Sequence, residues 1–556
     1  MQPPPPHPHP HPGPGAAGLA QALRSGDTHQ CGRCLQRDPS LLHARGWNGF
    51  TPLHHAALCG HMDLAYLLLD LGADTNLPND AGETPFHFAC RRGDVYIMDR
   101  MVKNGADVML LDHRGKTALH QAVSGGCIAS IRYLEEMGHF SFLDSDKFLQ
   151  TPLHIATSIG NEDVVKYLLR GMRCSAAEID TWGMTPLHVA AHTGSVAICW
   201  LLLAKTGTSN LQLQNKDGLT PLDLAKRGKT HRHQEVAKTL TEYNKKGQNG
   251  KPKEPTGLYY GTLFYPAILS SIIFVIASYL GEYGGIFSVV AFAVLIRFTF
   301  FQYHRISHYS RWPNPVYLGT FAAGILHSLY CFYSKILPAL WPAKPLLCFM
   351  TLLATVLFWM FMKLLTKDPG NLHKSDFETK SLTLTHLIRT KQSPSCFCIY
   401  CEIVQPKGTK HCRLCNSCME NFDHHCLFLM KCVAKNNQRL FILFLLEIIV
   451  CHLTFILSAL YVVHLQYDLN LEVFLKVVGC QPWVMGLALM NMATVLWEAV
   501  VLKAQMMAIS TNTATSRKDR ACVADFTWSH FVKSVVVFLI FGQRIQNSHG
   551  NLSNHL

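Results

Sequence analysis

At 556 residues, the chain is too long for one ordinary domain, and 49% hydrophobic residues is high for a soluble protein and suggests membrane segments. Its 20 cysteines in so long a chain exclude a small disulfide scaffold, and their clustering beside histidines favours metal ligation or catalytic thiols in a reducing compartment. The formal net charge of +13 is compatible with an anionic membrane face, an anionic substrate or nucleic acid; the motifs further along the chain lead to the expectation of no nucleic-acid partner.

The N-terminus, MQPPPPHPHPHPGPG, lacks the charged and apolar regions of a signal peptide and reads as a disordered tail over 1–16. A repeat array follows over 17–245. TPLHHAALCGHMDLAYLLLDLGAD begins at Thr51, TPFHFACRRGD at Thr84 and TALHQAVSGG at Thr117. TPLHIATSIG begins at Thr151, TPLHVAAHTG at Thr185 and TPLDLAKRG at Thr220, so the motif recurs every 33 to 35 residues. That is the ankyrin period, in which each helix pair buries its apolar face only against the next. Thr satisfies free N–H groups at each helix start, and the adjacent Pro costs little because its missing N–H had no helical partner. Residues 17–46 lack the motif and are expected to form a degenerate capping repeat. Such an array presents a surface for protein partners.

After a basic, Gly/Pro-containing linker over 246–257, apolar runs occur near 260–280, 284–301, 316–334 and 345–362, then near 440–463 and 484–502. Each approaches the length that crosses a ~30 Å hydrocarbon core. Four spans are therefore expected within 258–366 and two within 440–506, with a tail over 507–556. The 363–439 segment carries twelve Lys/Arg against six Asp/Glu, and Arg305 and Arg311 lie in the 302–313 turn, whereas GEYGG at 281–285 is acidic. The positive-inside bias places both termini and the central loop in the cytosol. The expected fold class is all-α: an ankyrin solenoid plus a polytopic six-helix membrane domain holding a cytosolic Cys-rich domain over 367–439.

That loop contains Cys398, Cys401, His411, Cys412, Cys415, Cys418, His424, His425, Cys426 and Cys432. Structural zinc takes four such ligands in a closed tetrahedron. Two ions use eight of the ten, and spacing alone does not say which two remain. A leftover Cys beside a leftover His makes a nucleophile with its base, and the sequence DHHC offers that pair with Asp423 next to it.

The segment resembles the Cys-rich domain of the Asp-His-His-Cys protein S-acyltransferases, or palmitoyltransferases. Their pattern C-x2-C-x9-H-C-x2-C-x2-C-x4-D-H-H-C-x5-C-x4-N-x3-F is met at every fixed position from Cys398 through Asn437 to Phe441. Ankyrin repeats before six spans are similar to the family's huntingtin-interacting branch. The resemblance implies one zinc held by Cys398, Cys401, His411 and Cys418, and a second by Cys412, Cys415, His425 and Cys432. It also implies Cys426 as nucleophile, His424 as base and Asp423 as orienting acid. Long-chain acyl-CoA, such as palmitoyl-CoA, would be the co-substrate, and protein substrates would bind the ankyrin array. Family analogy places the protein in Golgi or related endomembranes. Cys396 fits no ligand slot.

Lys407, Lys410, Arg413, Lys431 and Lys435 are candidates to attract the CoA phosphates, each weighed against an ordinary solvated basic face. Glu447 lies about two turns into the fifth span, where a carboxylate is costly unless paired or hydrated. Asp368-Pro369-Gly370 keeps the family's D-P-G, but its Pro-Trp after DHHC is Leu427-Phe428 here. Its T-T-x-E appears as Ser510-Thr511-Asn512-Thr513, without the acid, and its aromatic-Asn tail motif has no clear match. Those losses raise the alternative of a catalytically weak ankyrin/zinc membrane adaptor. The layout is also similar to transient-receptor-potential cation channels, but QYDLNLEVFLKVVGCQPW between the last spans offers no filter. A RING-type ubiquitin ligase would leave DHHC unexplained.

Overall fold

The computed structural model describes residues 14–170, 173–245, 256–280, 283–302, 315–340, 344–373, 383–390, 392–393, 396–466, 481–510 and 528–541. Most of the Pro/His tail and linker lie outside the described residues, as do Arg305, Arg311, Thr511, Asn512, Thr513, most of the connection between the last spans and the closing NLSNHL. The chain divides into two compact units, Met1–Lys253 with Phe377–Val404, and Glu254–Asp376 with Gln405–Leu556.

The first unit is built by its capping chemistry. Thr51, Thr84, Thr117, Thr151, Thr185 and Thr220 each sit at the N-cap of a helix, in a capping box closed by the residue three further on. That residue is a histidine in the first five and Asp223 in the last. Four of these five histidines, His54, His120, His154 and His188, use both ring nitrogens. Nδ1 of His54 accepts from the Thr51 N–H at 3.1 Å, so the tautomer leaves a hydrogen on Nε2 to donate. That Nε2 lies 3.0 Å from the Glu83 carbonyl at the start of the next repeat. His120, His154 and His188 reach Gln150, Met184 and Leu219 in the same way, at 3.0–3.2 Å. The motif therefore caps its own helix and staples it to its neighbour. Leu53, Ala56, Leu64 and Leu68, on the apolar face, have no exposed surface. Helices Pro14–Ser25 and Thr28–Arg37 form the motif-free first repeat, burying Leu19, Ala22 and Leu35.

The same unit takes in part of the Cys-rich loop. Helix Leu384–Arg389 receives Glu136 at its start, where the carboxylate accepts from the Leu384 and Thr385 N–H groups at 3.0 and 2.9 Å. Glu402, with φ of +56°, pairs with Arg173 at 2.5 Å and Arg132 at 3.5 Å.

In the second unit, helices Thr256–Tyr279, Val316–Cys331, Lys344–Thr366, Gln438–Gln466 and Pro482–Ser510 coincide with five of the expected spans, and Gly284–Gln302 with the remaining one. Five described helices are long and apolar enough to cross a membrane, the third extended through a π turn to Ala339. The protein is therefore a membrane protein. A further helix, Trp528–Phe541, follows in the tail; its Phe538 packs against Ile442 and Ile509 on the fifth and sixth helices.

The fold is mostly helical, with one addition to the all-α expectation. Among the described residues, the Cys-rich loop holds seven strands of two or three residues. Asn371–Leu372, Lys410–Cys412 and Ser417–Met419 form one sheet, while His424–Cys426 pairs with Lys431–Val433 and Phe397–Cys398 with Ile403–Val404. Strands so short carry no period-two signal; tight turns between ligands impose them. Asn416, Asn421 and Met430 take positive φ in such turns.

Candidate active site and metal centres

The turn Asp368-Pro369-Gly370 ties the end of the fourth membrane helix to the loop. Asp368 Oδ2 accepts from the Gly370 and Asn371 N–H groups at 3.1 Å each. The Pro369 and Gly370 carbonyls accept from Asn436 and Glu420 at 3.1 and 3.0 Å. Gly370 has φ of +112°, which a side chain would strain. At the other end stands Asn437, fully buried. Its side-chain oxygen accepts from the Ala434 N–H at 2.8 Å and its amide donates to the Cys432 carbonyl at 2.9 Å, locking the hairpin to the start of the fifth helix.

The hairpin carries the residues of interest in register: His424 opposite Val433, His425 opposite Cys432 and Cys426 opposite Lys431. Side chains alternate along a strand, so His425 turns to one face while His424 and Cys426 share the other. Cys432 joins His425, Cys412 and Cys415 in a closed group of four donors. The His425 Nδ1 is 3.3, 3.5 and 3.6 Å from the Cys415, Cys432 and Cys412 sulfurs, and the Cys415 and Cys432 sulfurs are 3.4 Å apart. Tetrahedral zinc with bonds of ~2.3 Å to sulfur and ~2.0 Å to nitrogen has edges of roughly 3.5–3.8 Å. The donor set and its spacing fit that ion. Cys398, Cys401, His411 and Cys418 make a second group of the same chemistry. The loop is thus a two-zinc domain whose sites are complete with protein ligands, and Cys396, exposed, belongs to neither.

On the opposite face, Asp423 has no exposed surface. Its backbone N–H donates to the Val433 carbonyl at 3.1 Å, and its Oδ2 accepts from His424 Nδ1 at 2.8 Å. The imidazole packs edge-on against Phe441, with centroids 5.6 Å apart. Burial works against a charged His424, but its hydrogen bonds with Asp423 and with Cys426 outweigh that and bring its pKa up to about 9. Cys426 is buried, packed with Leu357, Met360 and Leu364 of the fourth membrane helix and Phe444 and Leu445 of the fifth. A thiol, an imidazole and a carboxylate in this order, at the mouth of an apolar cluster, can move a proton and hold a hydrophobic chain beside the sulfur.

The residues after the thiol, Leu427-Phe428, are anchored through the aromatic one. Phe428 sits among Tyr317 and Phe321 of the third helix and Trp497 of the sixth, with centroids 5.1–6.3 Å away. An aromatic wedge one residue past Leu427 thus pins the turn to the bundle. The five basic candidates separate into two kinds. Lys431 donates to the Leu365 carbonyl at 2.9 Å, capping the end of the fourth helix, and Lys435 pairs with Glu420 at 2.7 Å. Lys407 and Arg413 are exposed and Lys410 half-buried.

Two features escaped the sequence, the glutamine pair behind Asp423 and the ion pair of His452. Gln505 of the sixth helix donates to Asp423 Oδ2 at 2.6 Å, and Gln438 donates to Gln505 at 3.1 Å. His452 pairs with Glu498 at 3.1 Å between the fifth and sixth helices. Glu447 has a buried carboxylate oxygen without a hydrogen-bond partner among the described residues, so the partner expected for it is absent there. A period-3.6 pattern flags neither the glutamines nor the His452–Glu498 pair, because isolated polar residues in apolar helices carry no spacing of their own; Glu447 stands out only as a charge within an apolar run.

Residues 391–521 match the family model described as DHHC palmitoyltransferase, and 19–112, 86–177 and 171–251 match ankyrin repeats. Palmitoyltransferase ZDHHC17 of Homo sapiens is 29% identical over 346 residues, which cover 57% of this chain and 52% of that protein. Palmitoyltransferase ZDHHC13 of Homo sapiens is 28% identical over 311 residues, covering 54% of this chain and 49% of that one. The chain spans about half the length of these relatives. Among solved structures, the ankyrin repeat domain of human ASB11 is similar, with a TM-score of 0.36 and 26% identity over 42% of this chain and 99% of that one.

Proposed function

We propose that this chain, a DHHC-domain protein with ankyrin repeats homologous to ZDHHC17 and ZDHHC13, is a membrane-bound protein S-acyltransferase. It would move a long-chain acyl group, palmitoyl foremost, from acyl-CoA to cysteines of other proteins. The observation that carries the reading is the hairpin itself, whose one face supplies a zinc ligand while the other aligns Asp423, His424 and Cys426 beside an apolar cluster.

His424 takes the Cys426 proton, and Asp423 holds the imidazole by its Nδ1–H and stabilises the imidazolium. The Cys426 thiolate attacks the thioester carbonyl of acyl-CoA; the C–S bond to CoA breaks, and CoA thiolate leaves with the proton that His424 returns. In the second half, His424 deprotonates the acceptor cysteine, whose thiolate displaces Cys426 from the acyl-enzyme thioester. Two closed four-ligand sites give zinc an architectural role when it is bound. The apolar contacts of Cys426 suit an acyl chain lying among the membrane helices. Lys407, Lys410 and Arg413 remain available for CoA phosphates, whereas the side chains of Lys431 and Lys435 are engaged elsewhere. The ankyrin array, over 17–245, would recruit protein substrates. Both termini and the 367–439 loop would face the cytosol of a Golgi or related endomembrane, with spans within 258–366 and 440–506.

The test is autoacylation of the purified full-length protein with labelled palmitoyl-CoA. Label released by hydroxylamine in the wild type and missing from Cys426→Ser and His424→Ala is expected. A folded, zinc-loaded wild type that never takes label would refute the activity.

A further inference from the structure

The carboxylate at the centre of the site is held from two sides, and one of them belongs to the membrane domain. Asp423 Oδ2 accepts from His424 Nδ1 at 2.8 Å and from Gln505 Nε2 at 2.6 Å. Gln505 lies near the end of helix Pro482–Ser510, and Gln438 is the first residue of helix Gln438–Gln466. Gln438 donates to the Gln505 side-chain oxygen at 3.1 Å. Asp423, Gln505 and Gln438 are 0%, 1% and 2% exposed, so this hydrogen-bonded chain lies away from the solvent-accessible surface.

The direction of the chain follows from valence. An ionised carboxylate only accepts, so Gln505 must turn its NH₂ toward Asp423 and its oxygen toward Gln438. Two buried primary amides are costly unless paired, and here they pair with each other and with the acid. Two donors on one oxygen restrict rotation of the Asp423 carboxylate. That in turn sets the plane of His424 and the direction of its second nitrogen toward Cys426.

We propose that Gln505 is a positioning residue for acyl transfer: seated by Gln438, it fixes the Asp423 carboxylate that orients His424, so that the sixth membrane helix sets the geometry of the thiol–imidazole pair. This rests on the acyltransferase reading for its consequence, but the geometry can be read separately.

The experiment compares wild type, Gln505→Met, Gln505→Glu, Gln438→Leu and the Gln438→Leu/Gln505→Met double variant, each full length and purified in detergent. Methionine keeps the volume and removes the donor; glutamate keeps the shape and presents only an acceptor to Asp423. Two rates are measured: single-turnover autoacylation across a range of palmitoyl-CoA concentrations, and alkylation of Cys426 by iodoacetamide, located by peptide mass. Losing the Gln505 donor is expected to lower both rates about 10- to 100-fold, with the half-saturating palmitoyl-CoA concentration within about twofold of wild type. Zinc content and melting temperature should stay near wild type. Gln438→Leu should lose about three- to tenfold, and the double variant no more than Gln505→Met, because the two amides act as one chain. Should Gln505→Met lose zinc or melt early, Gln438→Leu carries the same test. Rates within twofold of wild type in folded, zinc-loaded variants would overturn the proposal, as would a rise in half-saturation without a fall in maximal rate. Should wild type alkylate readily but never acylate, the acyltransferase reading falls, and the alkylation series still decides the role of Gln505.

Discussion

The histidine staples of the ankyrin array make its stability sensitive to acid, and His54 allows the size of the effect to be worked out. Burial pushes its pKa from the usual 6.5 down to about 4, against a smaller upward pull from the Glu83 carbonyl. The folded state therefore binds fewer protons than the unfolded state between these values. Stability from this group is complete above pH ~6.5 and is lost as pH falls toward ~4, where both states are protonated. The difference amounts to about 3 kcal/mol, with a slope of up to about 1.4 kcal/mol per pH unit inside the window. His87, His120, His154 and His188 shift in the same direction, again through burial. The assay is hydrogen exchange by mass spectrometry on the full-length protein, following the peptide that covers helix Pro52–Cys59 and normalising to intrinsic exchange rates. Protection should fall by up to tenfold per pH unit on acidification through the window. His54→Gln, which can still close the capping box, should flatten that local slope. Equal slopes in both proteins, or protection that rises toward pH 4, would refute the reasoning.

Metal analysis of the purified protein should find about two zinc ions per chain and about one in Cys415→Ser; a wild-type count near one would sink the allocation of eight ligands. Reversing Glu402 to Lys places a third cation beside Arg132 and Arg173, whose side chains are only 14% and 16% exposed. It should loosen the 384–390 segment by about 2–4 kcal/mol, visible as faster exchange there, while exchange over helix Pro52–Cys59 is unchanged. Phe428→Ala removes the wedge between Tyr317, Phe321 and Trp497. It should cost about 1–3 kcal/mol, read as a lower melting temperature, and slow autoacylation, with Phe428→Trp largely restoring both.

What the sequence disclosed, it disclosed through period and spacing. Thr51 to Thr220 announce the repeats because a capping Thr recurs in each, followed in five of the six by a His three residues on. The membrane helices are legible as length. The two ligand sets are legible as counts, but only the hairpin register explains why His425 joins the metal group while His424 does not. The rest depends on contacts distant in sequence. Gln505 reaches Asp423 across 82 positions, and Arg173 reaches Glu402 across 229. A glutamine near a helix end and an arginine in a loop look ordinary until the fold brings their partners. Lys431 shows another contact that the sequence hides: a basic residue next to the candidate nucleophile suggests a phosphate, and the fold also gives its amine the Leu365 carbonyl.

The choice between an enzyme and an adaptor built on the same zinc domain turns on what the hairpin's second face costs. An adaptor needs the metal-binding face, with His425 and Cys432, and nothing from the other. A fully buried carboxylate is among the most expensive groups a fold can hold, several kcal/mol before its partners compensate, and replacing such a network by apolar residues often stabilises a protein. Here Asp423 is buried together with two glutamines that serve it and a histidine it orients, all beside a cysteine left out of both metal groups. None of those five side chains belongs to either zinc site. Their arrangement makes physical sense as equipment for moving a proton at sulfur. For a scaffold it would be a liability that a Leu at 423 would remove. Asp423→Leu separates the two accounts directly. The adaptor reading expects a zinc-loaded protein at least as stable as wild type, still carrying whatever function wild type has. The enzyme reading expects the same fold and metal content with autoacylation reduced by about three orders of magnitude or more.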